Sequence, residues 1–97
     1  MAANGYAPSS SFQVVASPGG VTAAITGTTL RIINVGPNIA YVLLATTQAA
    51  AAAVKPLTGL AIQPGAPAEF LTVGSNTFLG ACSEGQFPAR LNVSEGT

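Results

Sequence analysis

Glycine and proline punctuation constrains this chain more than any other feature. Eleven glycines and seven prolines are scattered along it, and the apolar runs between them are short and rich in β-branched residues. Short runs of that kind, closed by turn residues at close spacing, predict the strands of a sandwich or barrel. No stretch shows a convincing 3.6-residue apolar period, so no amphipathic helix is predicted. A length of 97 residues fits one domain.

Residues 1–10 read as an extended N-terminal arm with Tyr6 as its large apolar anchor, and residues 11–97 as a single β-sandwich domain. A first strand over 11–16 runs into the turn Ser17-Pro18-Gly19-Gly20. Val21, Ala23 and Ile25 then alternate with Thr22, Ala24 and Thr26, the period of a half-buried strand. Gly27 separates these from a run over 28–35. Gly36-Pro37-Asn38 predicts a tight turn, with 39–45 returning as the partner strand. Both faces of that strand are apolar, so both should be covered. Residues 46–56 hold five consecutive alanines and predict a long Ala-rich surface loop with room for a helical turn, because short isolated helices are marginal.

Regular structure resumes over 59–63, and Pro64-Gly65 has the chemistry of a type II turn. A strand over 69–73, a turn at Gly74-Ser75-Asn76 and a strand over 77–82 read as a hairpin. Past Ser83-Glu84-Gly85, the residues Phe87, Ala89, Leu91 and Val93 share one face, and Pro88, Arg90, Asn92 and Ser94 the other. Pro88 marks a strand start or edge, since it cannot donate to a ladder. The fold class is therefore all-β: a small antiparallel β-sandwich or jelly-roll-like barrel of seven or eight short strands, linked mostly as hairpins.

Charge is scarce. Arg31, Lys55, Arg90, Glu69, Glu84 and Glu95 make up 6% of the chain, against roughly 25% in ordinary soluble domains. With no net charge, little keeps neighbouring surfaces apart, which predicts a surface lying largely against other protein. Three scattered cations form no phosphate-binding patch and no anionic-lipid patch, so neither nucleic acid nor membrane is expected as a partner. The N-terminal residues lack a basic segment and an apolar segment, so no secretory signal is read there.

The same composition argues against an enzyme. There is no His and no Asp, which removes the usual acid–base groups and nucleophilic triads. The three glutamates are predicted to sit apart on solvated turns or the tail. Zinc needs several Cys or His, and calcium loops need acidic oxygens in number. No phosphate-cradling glycine motif is present. Hence no catalytic, cofactor-binding or metal residue is assigned, and no cofactor is expected. Cys82, the single cysteine, is read as a small buried hydrophobe. Asn92-Val93-Ser94 matches a glycosylation sequon, read as a chance tripeptide. Phe12, Tyr41, Phe70, Phe78 and Phe87 lie within strand patterns and are expected to pack in the core.

The segment Leu30-Arg31-Ile32-Ile33-Asn34-Val35-Gly36-Pro37-Asn38-Ile39-Ala40-Tyr41-Val42 resembles small virion structural proteins of tailed bacteriophages. The likeness continues through Ile62-Gln63-Pro64-Gly65, Glu69-Phe70-Leu71-Thr72-Val73-Gly74, Thr77-Phe78-Leu79-Gly80-Ala81-Cys82 and Ala89-Arg90-Leu91-Asn92-Val93-Ser94-Glu95-Gly96, and so covers roughly residues 28–97. Some such proteins decorate or cement the head. The resemblance implies a β-sandwich that is made in the host cytoplasm and binds the outer capsid surface of the virion. It implies the major capsid protein as partner, and either a homo-oligomer such as a trimer or repeated copies on the shell. The alternatives are a glycan-binding module of a tail or fibre, and a neck or tail structural component. The arm 1–10 and the loop 46–56 are the expected contact segments.

Overall fold

The computed structural model describes residues 8–56 and 58–96, with side chains from residue 10 onward. Each predicted apolar run forms a strand. In chain order these are β1 (Pro8–Ala16), β2 (Val21–Ala24), β3 (Thr29–Pro37), β4 (Ala40–Ala45), β5 (Leu60–Ile62), β6 (Glu69–Thr72), β7 (Phe78–Ser83) and β8 (Ala89–Gly96). One short helix, α1 (Gln48–Ala52), lies between β4 and β5. Residues 8–10 of the expected arm belong to β1, where Pro8 pairs with Gly96 and Ser10 with Glu95. The rest of the arm lies outside the described residues.

The strands form two antiparallel sheets. Sheet A has the order β1-β8-β3-β6 and sheet B the order β2-β7-β4-β5. Every connection crosses from one sheet to the other, except β4 to β5. This is the eight-stranded jelly roll, two interlocked Greek keys. It corrects the expectation of hairpins. The turn at 36–38, which contains a cis Gly36–Pro37 peptide, does not fold β4 back onto β3, and Gly74-Ser75-Asn76 does not pair β6 with β7. Turn chemistry dictates where the chain reverses; burial decides which sheet receives it. β3 and β4 each carry an apolar row, and crossing between sheets sets those rows face to face.

The core fills the space between the sheets. Val14 and Ala16 of β1, Leu30 and Ile32 of β3, and Leu91 and Val93 of β8 point inward from sheet A. Ala40 and Val42 of β4 and Leu79 and Ala81 of β7 meet them from sheet B. The period-2 readings of β2 and β8 hold from Val21 to Ile25 and from Ala89 to Val93. Phe87 departs from its reading: it precedes β8 and is 68% exposed.

Polar side chains close both ends of this interior. Asn34, 1% exposed, donates from Nδ2 to the carbonyls of Asn38 and Ile62, each at 2.8 Å. Its Oδ1 accepts the Gly36 N–H at 2.8 Å. At the opposite end Glu95 is 6% exposed rather than solvated. The two-residue period that turns Leu91 and Val93 inward carries Glu95 with them. Thr26 donates to its carboxylate from Oγ1 at 2.7 Å and from the backbone N–H at 3.3 Å.

The Ala-rich segment is largely exposed, as expected, and its helical turn is seated on the sheet. Thr47 caps α1, its hydroxyl accepting the Ala50 N–H at 3.2 Å. Ala51 is fully buried and Val54 is 2% exposed. Ala51 lies over Gly80 of β7, and Val54 lies beside Gly20 in the turn before β2. A small side chain on the helix and none on the strand let the two backbones approach closely, so tertiary packing stabilises a helix too short to persist alone.

Candidate interaction surface

The groups able to do chemistry are dispersed. Glu69 is on β6, Glu84 in the loop after β7, and Glu95 inside β8. Among the described residues, no three of His, Cys, Asp and Glu come close enough to hold a metal ion. Cys82 is 2% exposed on the outward side of β7, as a small buried hydrophobe should be. Burial pushes its thiol up from the ordinary range, and nearby Lys55 pulls the other way. Tyr41, its register partner on β4, is also held above the ordinary phenol range, first by burial and then by the Glu84 carboxylate, which accepts its hydrogen bond. The Ser83 Oγ, buried between the sheets, has no hydrogen-bond partner among the described residues. Among the described residues, no helix is long and apolar enough to cross a membrane.

The two outer faces of the sandwich differ. On sheet B, Thr22, Gly80 and Leu43 stand in register across β2, β7 and β4. The helix roofs this row: the Ala51 carbonyl lies directly over Gly80, and Gln48 Nε2 donates to Thr22 Oγ1 at 3.2 Å. The expected contact segment 46–56 therefore packs partly against its own sheet. Ala49, Ala50, Ala52 and Ala53 remain exposed on it.

On sheet A no helix covers the outer face among the described residues. Three of the rows that cross it carry its large and charged side chains. Ser11, Ser94, Arg31 and Phe70 form the first, and Gln13, Asn92 and Ile33 the second. Val15 and Arg90 form the third, beside the bulge that places Val35. Val15 is 49% exposed, Val35 53% and Phe70 40%. Both arginines of the chain stand on this face. No glutamate does: Glu95 faces inward, Glu69 shares the face of its register partner Ile32, and Glu84 is in the loop after sheet B's β7. A chain of zero net charge thus presents a face that is positive and partly apolar.

One end of the sandwich extends this face. Four connections gather there, tied by hydrogen bonds from Ser83 N to Ser17 O, Glu84 N to Ile39 O and Gly65 N to Asn34 O. Asn38 Nδ2 donates to the carbonyls of Glu84 and Phe87, pinning the loop 84–88 beside the 36–38 turn. Phe87, Pro37 and Pro88 are exposed at that end, and they lie close in sequence to Val35 and Arg90. Sequence reasoning missed this surface. Its trace was there in Val15 and Val35, the large apolar residues on the polar parity of β1 and β3. Of the aromatics expected in the core, Phe12 packs against it, whereas Phe70 and Phe87 stand on or beside the open face. No family model, no curated protein and no solved structure matches this chain.

Proposed function

We propose that this chain is a non-catalytic structural protein of a virion: a capsid decoration, or cement, protein that binds the outer capsid surface and stabilises the shell by bridging major capsid subunits. The observation that carries the reading is the asymmetry of the sandwich. One sheet is roofed by the chain's own helix, while the other presents Val15, Val35, Arg31 and Arg90 on an open face. A chain with 6% charged residues has few groups to keep that face solvated against a neighbour. The resemblance of residues 28–97 to phage structural proteins supports the same reading. The jelly roll agrees with it, although that fold serves viral capsids, lectins and cupins alike and decides nothing by itself. Many copies on a lattice turn modest single contacts into high avidity when each copy touches two subunits.

Stripping the protein from particles tests the role. Stripped particles should lose heat and osmotic resistance and regain both when the purified chain is added back. Particles equally robust without it would end the cement reading. A second reading, a glycan-binding module of a tail or fibre, is favoured by one observation: Phe87 is 68% exposed, a ring available for sugar stacking. That module would give glycan-array signals that Phe87→Ala abolishes, and copies would be found on the tail.

A further inference from the structure

We infer that the outer face of sheet A is the docking face, and that its occupant is a protein surface carrying carboxylates around an apolar patch. This deepens the proposed function by naming the face and the partner's chemistry, and it rests on that reading for the partner's being a capsid subunit.

Charge decides the occupant. Arg31 and Arg90 project from β3 and β8, and none of the three glutamates shares their face. Ser94 is the register partner of Arg31 and lies four positions beyond Arg90 on β8. At about 3.4 Å per residue and about 4.8 Å between strands, the two arginine Cα atoms are about 14 Å apart. The occupant should therefore present two carboxylates, or a carboxylate and a carbonyl cluster, at comparable spacing. Arginine suits such a contact, because its planar fork binds a carboxylate in bidentate fashion and tolerates desolvation better than lysine. Lys55, the single lysine, lies on the sheet B side near Cys82.

A second copy is disfavoured as occupant. Two such faces packed about a twofold axis would set arginines against arginines with no carboxylate between them. Size bears on the same choice. Four strands at about 4.8 Å by eight residues of β8 give a face of about 500 Å² in projection. A standard interface takes roughly 800 Å² per partner. The adjoining end of the sandwich, where Phe87, Pro37 and Pro88 are exposed, offers the further area and the aromatic anchor common at interfaces.

Co-sedimentation with shells assembled from the major capsid protein alone tests the inference. Arg31→Glu and Arg90→Glu should each weaken binding at least about 30-fold, the scale of losing one member of an interfacial charge pair. Lys55→Glu should bind like the wild type. A carboxylate-to-lysine change on the shell should restore binding to the matching arginine reversal. Circular dichroism checks that the reversed variants fold; if one does not, Arg→Gln at the same position is read instead, with a smaller loss. Wild-type binding that survives both reversals but falls with Lys55→Glu would overturn the docking face and leave the cement reading intact. A wild type that never binds shells would overturn both. Self-association abolished by the arginine reversals would overturn the assigned occupant in favour of a second copy.

Discussion

Replacing Gly80 with alanine should destabilise the fold strongly, although alanine is ordinarily the better strand residue. Without the helix above it, Gly80→Ala would stabilise β7 by roughly 0.5–1 kcal/mol, because glycine loses more backbone entropy on folding. The structure reverses that sign. A Cβ on residue 80 would stand 1.9 Å from the Ala51 carbonyl oxygen and 2.7 Å from its carbon. Restoring an ordinary contact of 3.4 Å requires α1 to lift by about 1.5 Å. A gap of 0.5–1 Å already forfeits roughly a quarter to a half of the dispersion attraction, so Ala51 and Val54 would lose most of their packing. Overpacking strain of about 1–3 kcal/mol and part of the roughly 1.5–3 kcal/mol from burying Val54 give a net loss of about 2–4 kcal/mol. At about 4–8 °C per kcal/mol in a domain of this size, Tm should fall by roughly 8–32 °C. Urea and thermal melts followed by circular dichroism measure both. Gly19→Ala is the control, since nothing lies within 4 Å of its Cβ and its φ is not positive. Because the obstacle is backbone, adding Ala51→Gly should not rescue Gly80→Ala. Wild-type stability for Gly80→Ala, or rescue by Ala51→Gly, would refute the packing of α1 on β7.

Three further outcomes are expected. Asn34→Asp should be destabilising by about 3 kcal/mol or more at pH 7, because a carboxylate would face the carbonyls of Asn38 and Ile62. Its pKa would be raised in the fold, so the deficit relative to wild type should shrink as pH falls; equal deficits at pH 4 and pH 7 in urea melts would contradict this. Glu84→Gln should lower the Tyr41 pKa partway toward its ordinary value, burial being the larger cause, as read by ultraviolet titration of the phenolate. A raised folded-state pKa makes the Tyr41 contribution full below the unfolded pKa and lost as pH rises toward the folded one. Cys82 should resist thiol reagents in the native state, being buried with a raised pKa, and react at once on unfolding; rapid native-state labelling would contradict its placement.

Much of the fold was legible because period-2 burial and turn chemistry are local. Gln63-Pro64-Gly65-Ala66 forms the turn its residues demand, with Gly65 at φ 77° and the Ala66 N–H bonded to the Gln63 carbonyl. The pairing of strands was not legible. Residues 36–38 and 74–76 specify reversals but carry no mark of which sheet the next strand joins, since that depends on which apolar rows meet across the core. The helix was only half legible, for a related reason. Alanines at 49–53 favour a helix only weakly in isolation, and Gly80, which seats it, lies about 30 residues away in sequence. The candidate face was half visible: Arg90 and Asn92 were read on the outward parity of β8, but the meeting of Val15, Arg90 and Val35 needs the register of three strands. Glu95 was misread because a residue two from the chain end looks solvated until its strand parity is known.

If the proposed function holds, this sandwich is a shell-bound module docking through sheet A. A reconstruction of the intact particle tests it most directly. Hundreds of copies should stand on the outside of the head, with Arg31, Arg90 and Val15 against the shell and α1 turned to solvent. Six or twelve copies at the neck or tail, or a shell contact made by α1 with sheet A exposed, would contradict it.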